Sequence, residues 1–93
     1  MVYSPLELSV ESVDNALRVW EEDFPRPLVD LSRTRRMDLL ALIVLVLEAR
    51  RCQEAGGRLR VLLPRCEETR ATLGQRSIAP LLSQACWADG PWP

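Results

Sequence analysis

The residues best suited to chemistry lie in a short arginine-rich stretch just before the longest apolar segment. Arg33, Arg35 and Arg36 flank Thr34, and Asp38 follows them. Guanidinium groups beside the free backbone N–H groups of a helix start can bind an anion or an acidic protein surface. The same stretch also fits a solvated loop, and for a small anion the sequence leaves both interpretations open.

Side chains suited to catalysis are present, but they form no catalytic pattern. Carboxylates cluster at residues 21–23 and 67–68, where solvated helix faces are expected, whereas acid–base catalysis needs a pair that converges on a cleft. Cys66 precedes a predicted short helix, which would stabilise a thiolate. The chain has no histidine to act as a base. We therefore predict a protein that is not an enzyme and that uses no cofactor and no metal.

Length and composition limit the remaining classes of function. A chain of 93 residues predicts one domain, and a net charge of −1 argues against a nucleic-acid partner. Three widely spaced cysteines and the lack of a recognisable signal peptide predict a cytoplasmic protein. The apolar run at 39–47 is shorter than the roughly 20 residues that a membrane span requires, so we expect no insertion into a membrane.

The apolar run belongs to a predicted long helix that organises the rest of the chain. Good helix formers continue the segment to residue 55, which makes it too long for a strand. Asp38 is the predicted N-cap, and Gly56 and Gly57 are expected to end the helix.

This helix has two apolar faces where one would suffice to cover a sheet. One face is the predicted core stripe. A second face contains Leu40, Ile43 and Leu47 and becomes charged beyond them. Either a partner protein covers this second face, or the N-terminal segment or the C-terminal tail folds over it. The residues of the core stripe are Leu42, Leu45, Val46, Ala49 and Cys52.

The element order predicts an α/β fold with a short, mostly parallel sheet and helices packed on it. Residues 1–86 are expected to form the single domain, and residues 87–93 an irregular tail in which Trp87 and Trp92 are either partner anchors or without a role. The predicted strands are 6–10, 28–31 and 58–63, and the predicted helices are 12–24, 38–55, 65–73 and, as a last short helical segment, 78–86.

The stretch from LVDLS through the long helix to EARRCQEAGGRLRVLLP resembles the STAS domain family, which includes anti-sigma factor antagonists and domains of sulphate transporters and lipid-transport ABC systems. In that family a Ser or Thr at the helix start is phosphorylated in the sigma-factor regulators. The matching positions here are Leu39 and Leu40, so this switch does not transfer. The N-terminal part also departs from the family, because it has room for little more than one strand before the first helix. The residues that carry the resemblance most closely are Ala49, Arg50, Arg51, Glu54, Ala55, Gly56 and Gly57.

The resemblance implies a regulatory or accessory protein-interaction module. One such role is the small subunit of a lipid-transport ABC ATPase. The alternatives are an anti-sigma factor antagonist that has lost its usual phosphosite and a structural subunit of an assembly; self-association is also open. Ser32 or Thr34 could be a relocated phosphosite. The predicted partner-binding residues are Arg33, Thr34, Arg35, Arg36, Asp38, Leu39, Leu40, Ile43 and Leu47.

Overall fold

The computed structural model describes residues 3–93 and confirms the α/β class. Four helices and five short strands occur in this part of the chain. The strands are β1 (Glu7–Leu8), β2 (Leu28–Asp30), β3 (Arg36–Met37), β4 (Leu59–Leu62) and β5 (Cys86–Ala88), and the helices are α1 (Val13–Glu21), α2 (Leu39–Glu54), α3 (Glu67–Leu73) and α4 (Ala79–Ala85).

The strands form two small sheets in which every pairing is parallel. β1 pairs with β3, and the larger sheet has the order β2-β4-β5. Parallel neighbours require crossover connections, and the helices between the strands supply them. The predicted parallel sheet is therefore present, but it is divided into a pair and a triplet.

The long helix α2 begins and ends close to the predicted positions. The Asp38 carboxylate caps it by accepting a hydrogen bond from the Ala41 N–H, at 2.8 Å. After Glu54 the chain turns at Gly56, whose φ of +83° lies in the left-handed region that glycine adopts without strain.

The core lies between one face of α2 and the larger sheet. Four of the five residues of the predicted core stripe are buried, and Val46 is half-buried against them. Leu59 and Val61 of β4 meet this stripe from the sheet, and Leu82 of α4 packs beside it. Burying side chains of this size stabilises the fold by roughly 1.5–3 kcal/mol each.

A charged cluster joins α1 to α2 at the rim of the core. The Arg51 guanidinium contacts Glu48, one turn earlier, with 2.9 Å between Nη2 and Oε1, and it also contacts Glu21 of α1. The same guanidinium lies 3.9 Å from the centroid of the Phe24 ring. The burial of Glu48 was not predicted, although its partner Arg51 lies only three positions later on the same helix.

Both ends of the chain differ from the sequence prediction. The predicted strand 6–10 shortens to Glu7–Leu8, because the chain turns immediately afterwards into α1. Regular structure extends two residues into the predicted tail, since β5 ends at Ala88, and residues 89–93 have no regular secondary structure. These residues are nevertheless packed, because the Trp92 indole N–H donates to the Leu73 carbonyl at 2.9 Å. The C-terminal residues are thus part of the packed structure.

Within residues 3–93, none of the helices combines the length and the apolar character that crossing a bilayer requires.

Candidate functional site

Four large apolar side chains on α2 face solvent and define what we call the α2 apolar face. Leu39, Leu40, Ile43 and Leu47 are 59%, 44%, 43% and 60% exposed, respectively. Spacings of three and four residues place them on one side of the first half of the helix. Neither the described part of the N-terminal segment nor the C-terminal residues bury this face, so the intramolecular cover considered from the sequence is not found among residues 3–93.

The N-terminal segment enlarges this surface instead of covering it. The Val10 N–H donates to Asp38 Oδ2 at 2.9 Å, which holds Val10 beside the start of α2 with its side chain 54% exposed. Val10 was not predicted to be part of this surface, because the predicted strand 6–10 included it. A strand of only two residues leaves no pleat to turn Val10 inward.

Asp38 is a structural residue of the surface. Each of its carboxylate oxygens accepts a backbone hydrogen bond, Oδ1 from Ala41 and Oδ2 from Val10. These two bonds, the one from Ala41 foremost, lower the pKa of Asp38 below its ordinary value. The carboxylate therefore stays charged and fixes the N-terminal segment against α2.

The three predicted arginines lie in the loop and short strand that precede α2. Arg33, Arg35 and Arg36 are all exposed, and the only ion pairs among the described residues involve Arg51. Arg35 and Arg36 border a cleft of about 290 Å³ that also contains Asp38 and Glu68. Arg35 and Arg36 thus lie close to the N-cap of α2, in a cleft that also contains the carboxylates of Glu7, Asp38 and Glu68.

Thr34 was also predicted to bind a partner, but its side chain does not reach the surface. Its side chain is fully buried, and Oγ1 donates to the Pro5 carbonyl at 2.7 Å. Its own carbonyl accepts from the Thr69 hydroxyl at 2.9 Å. The loop folds inward at this residue, because Thr34 links the N-terminal segment to α3. A buried hydroxyl used in this way is inaccessible to a kinase in the folded chain.

Ser32 is also held by its neighbours. Its hydroxyl donates to Asp30 Oδ1 at 2.6 Å, and its backbone N–H donates to the same oxygen at 3.0 Å. Burial alone would raise the pKa of Asp30, but these hydrogen bonds outweigh it and lower that pKa below the ordinary value. Ser32 therefore forms a tight local turn with Asp30 at the end of β2.

The three cysteines lie in different environments. Burial raises the pKa of Cys52, and it raises the pKa of Cys86 to about 12. Hydrogen bonding from the Thr69 backbone N–H lowers the pKa of Cys66, which is half-buried. Among residues 3–93, no three acidic or cysteine side chains come together as a metal-binding set.

Comparison with family models gives no match for this chain, and neither curated proteins nor solved structures show significant similarity to it. The resemblance to the STAS family stays a prediction from the sequence.

Proposed function

We propose that this chain is a non-enzymatic protein-interaction module that binds its partner through the α2 apolar face. The observation that carries the proposal is the exposure of four large apolar side chains on one side of one helix. Contiguous apolar surface that stays in water favours association, and in folded proteins it marks binding sites.

The free energy available from this face supports a binding role. Together the exposed fractions of Leu39, Leu40, Ile43 and Leu47 amount to about two complete side chains. Covering them would contribute roughly 3–6 kcal/mol before the cost of association is subtracted. Val10 beside the start of the helix adds further apolar area.

The arginines before α2 suggest the character of the partner. Arg33, Arg35 and Arg36 precede α2 in the chain, Arg35 and Arg36 border the cleft that contains the N-cap Asp38, and none of the three has an ion-pair partner among the described residues. An apolar centre with a polar or charged rim is the usual composition of a protein interface. We therefore expect a partner surface with an apolar groove bordered by carboxylates.

The resemblance to the STAS family supports a narrower proposal, an accessory subunit such as that of a lipid-transport ABC ATPase. We favour the role of an accessory subunit, whose interface needs no phosphorylation switch, over the role of an anti-sigma factor antagonist. Leucines occupy the family's phosphorylation positions, and Thr34 is buried in a hydrogen-bonded position. We place the protein in the cytosol, because Cys52, Cys66 and Cys86 are all free thiols.

The proposal is tested by photo-crosslinking in the cells that naturally make the chain. A photoreactive amino acid at position 47 samples the α2 apolar face, and the same amino acid at position 81 is the matched control. Leu81 is also an exposed leucine, 47% accessible, but it lies on α4. We expect a discrete protein adduct from position 47, and we expect the substitution Leu40→Asp to abolish it while the chain remains folded.

Two results would contradict the interface. One is the same set of adducts from positions 47 and 81, or none from either position. The other is unfolding of Leu40→Asp, measured by circular dichroism, because a residue that faces solvent tolerates a charge. Light scattering on the purified chain measures its molar mass and so tests for self-association. If the chain is a dimer and Leu40→Asp converts it to a monomer, the partner is a second copy of the chain.

A further inference from the structure

A second surface, at the opposite end of α2, combines an exposed tryptophan with arginines. Arg60 of β4 lies directly opposite Trp87 of β5 in the parallel register. Their neighbours Leu59, Val61 and Cys86 are buried, whereas Arg60 and Trp87 are exposed, the indole by 53%. Because side chains alternate across a sheet, Arg60 and Trp87 share its outer face.

Two more arginines complete what we call the Trp87 patch. Arg60 Nη2 donates to the Arg26 carbonyl at 3.0 Å, which brings the chain around Arg26 against β4. Arg58 immediately precedes β4 and borders the same shallow cleft. All three arginines are exposed, and none of them forms an ion pair among residues 3–93.

The base of the patch is formed by the glycine turn after α2. A side chain at Gly57 would place its Cβ 2.1 Å from the Pro25 carbonyl oxygen, so only glycine permits this close approach of the two chain segments. Nothing lies within 4 Å of the corresponding position at Gly56. Both glycines border the same cleft as Trp87, and they add no side chain to it.

We propose that the Trp87 patch binds a short, carboxylate-rich segment of another protein. Tryptophan and arginine are the residues that most often dominate the binding energy of protein interfaces. Three unpaired guanidinium groups around an indole attract carboxylates, which they can bind in a bidentate manner. β5 lies at the edge of the β2-β4-β5 sheet, where an extended segment can lie alongside it.

Size and charge favour this occupant over the other candidates. The patch consists of a few residues, whereas a typical interface between folded proteins covers about 800 Å² on each side. A second copy of the chain would bring its own Arg26, Arg58 and Arg60 against these, with repulsion between like charges.

The Trp87 patch is separate from the α2 apolar face. The 16 residues of α2 span about 24 Å, and the patch lies beyond the C-terminal end of that helix, whereas the apolar face begins at its first residue. Failure of one interface in an experiment therefore leaves the other intact.

The test is selection from a random-sequence peptide library displayed on phage, carried out on the full chain. We expect the selected peptides to be enriched in Asp and Glu relative to the same selection on Arg58→Gln. This substitution removes one charge from the patch without removing a side-chain hydrogen bond. Arg76→Gln is the matched control, because it removes an exposed arginine outside the patch and should preserve the enrichment.

The selected peptide is then titrated into the labelled chain while the indole N–H signals are followed by NMR. We expect a saturable shift of the Trp87 signal, weaker at high salt, with the signals of Trp20 and Trp92 unchanged. Substitution Trp87→Phe assigns that signal. Peptides without an excess of acidic residues, or selected peptides that leave the Trp87 signal in place, would overturn the proposal.

Discussion

Two leucines on α2, two positions apart, should respond very differently to truncation. Leu45 is fully buried and Leu47 is 60% exposed. Substitution Leu45→Ala removes buried methyl groups and leaves a cavity, which should lower the free energy of unfolding by about 2–5 kcal/mol. Only about 40% of Leu47 is buried, so Leu47→Ala should lower the free energy of unfolding by at most about 1 kcal/mol. The higher helix propensity of alanine should offset about 0.2 kcal/mol of this loss.

Urea unfolding followed by circular dichroism measures both variants against the parent chain. Equal slopes of free energy against urea concentration would show that the comparison concerns stability alone. When the same variants are unfolded by heating, the midpoint temperature should fall by on the order of 10 °C or more for Leu45→Ala and by only a few degrees for Leu47→Ala. If Leu47→Ala loses as much stability as Leu45→Ala, Leu47 is a core residue and the α2 apolar face is not a free surface.

Two further predictions concern the titratable groups. Iodoacetamide should modify Cys66 much faster than Cys52 and Cys86, because hydrogen bonding lowers the pKa of Cys66 whereas burial raises the pKa of the other two thiols. Mass spectrometry of digested samples shows which cysteine carries the label. Faster labelling of Cys52 or Cys86 in the folded chain would contradict these environments. The lowered pKa of Asp30 stabilises the fold above the ordinary value of 3.8, and this contribution is lost as the pH falls through the pKa of the folded state. Substitution Asp30→Asn should therefore flatten the loss of stability below about pH 5 in urea titrations, and an unchanged acid slope would show that the hydrogen bonds from Ser32 do not hold the carboxylate charged.

Features that depend on residues close together in the chain could be predicted from the sequence. The cap at Asp38, the end of α2 near Gly56 and the separation of Leu45 from Leu47 all follow from spacing within one helix. The existence of the second apolar face also follows from that spacing, because the sheet can cover only one side of α2. Whether another segment of the chain covers that face did not follow from it.

The errors arose where distant segments decide the environment. Thr34 looked like one more polar loop residue, but its hydrogen-bond partners are Pro5 and Thr69, which lie 29 and 35 positions away. The C-terminal residues looked unstructured because of their prolines and glycine, but Trp92 bonds to Leu73, 19 positions earlier. No local pattern encodes these pairings, so only the folded chain reveals them.

The positions of the two proposed surfaces imply a linking role. The α2 apolar face lies on the first half of the helix and favours an apolar partner with an acidic rim, whereas the Trp87 patch beyond the C-terminal end favours an extended acidic segment. If both proposals hold, one small domain can contact two proteins, or two parts of one protein, at the same time. Combining Leu47→Asp with Arg58→Gln then separates the cases. With two independent partners, the double variant loses no more affinity for each partner than the corresponding single variant does, whereas a single partner that contacts both surfaces loses more affinity than with either substitution alone.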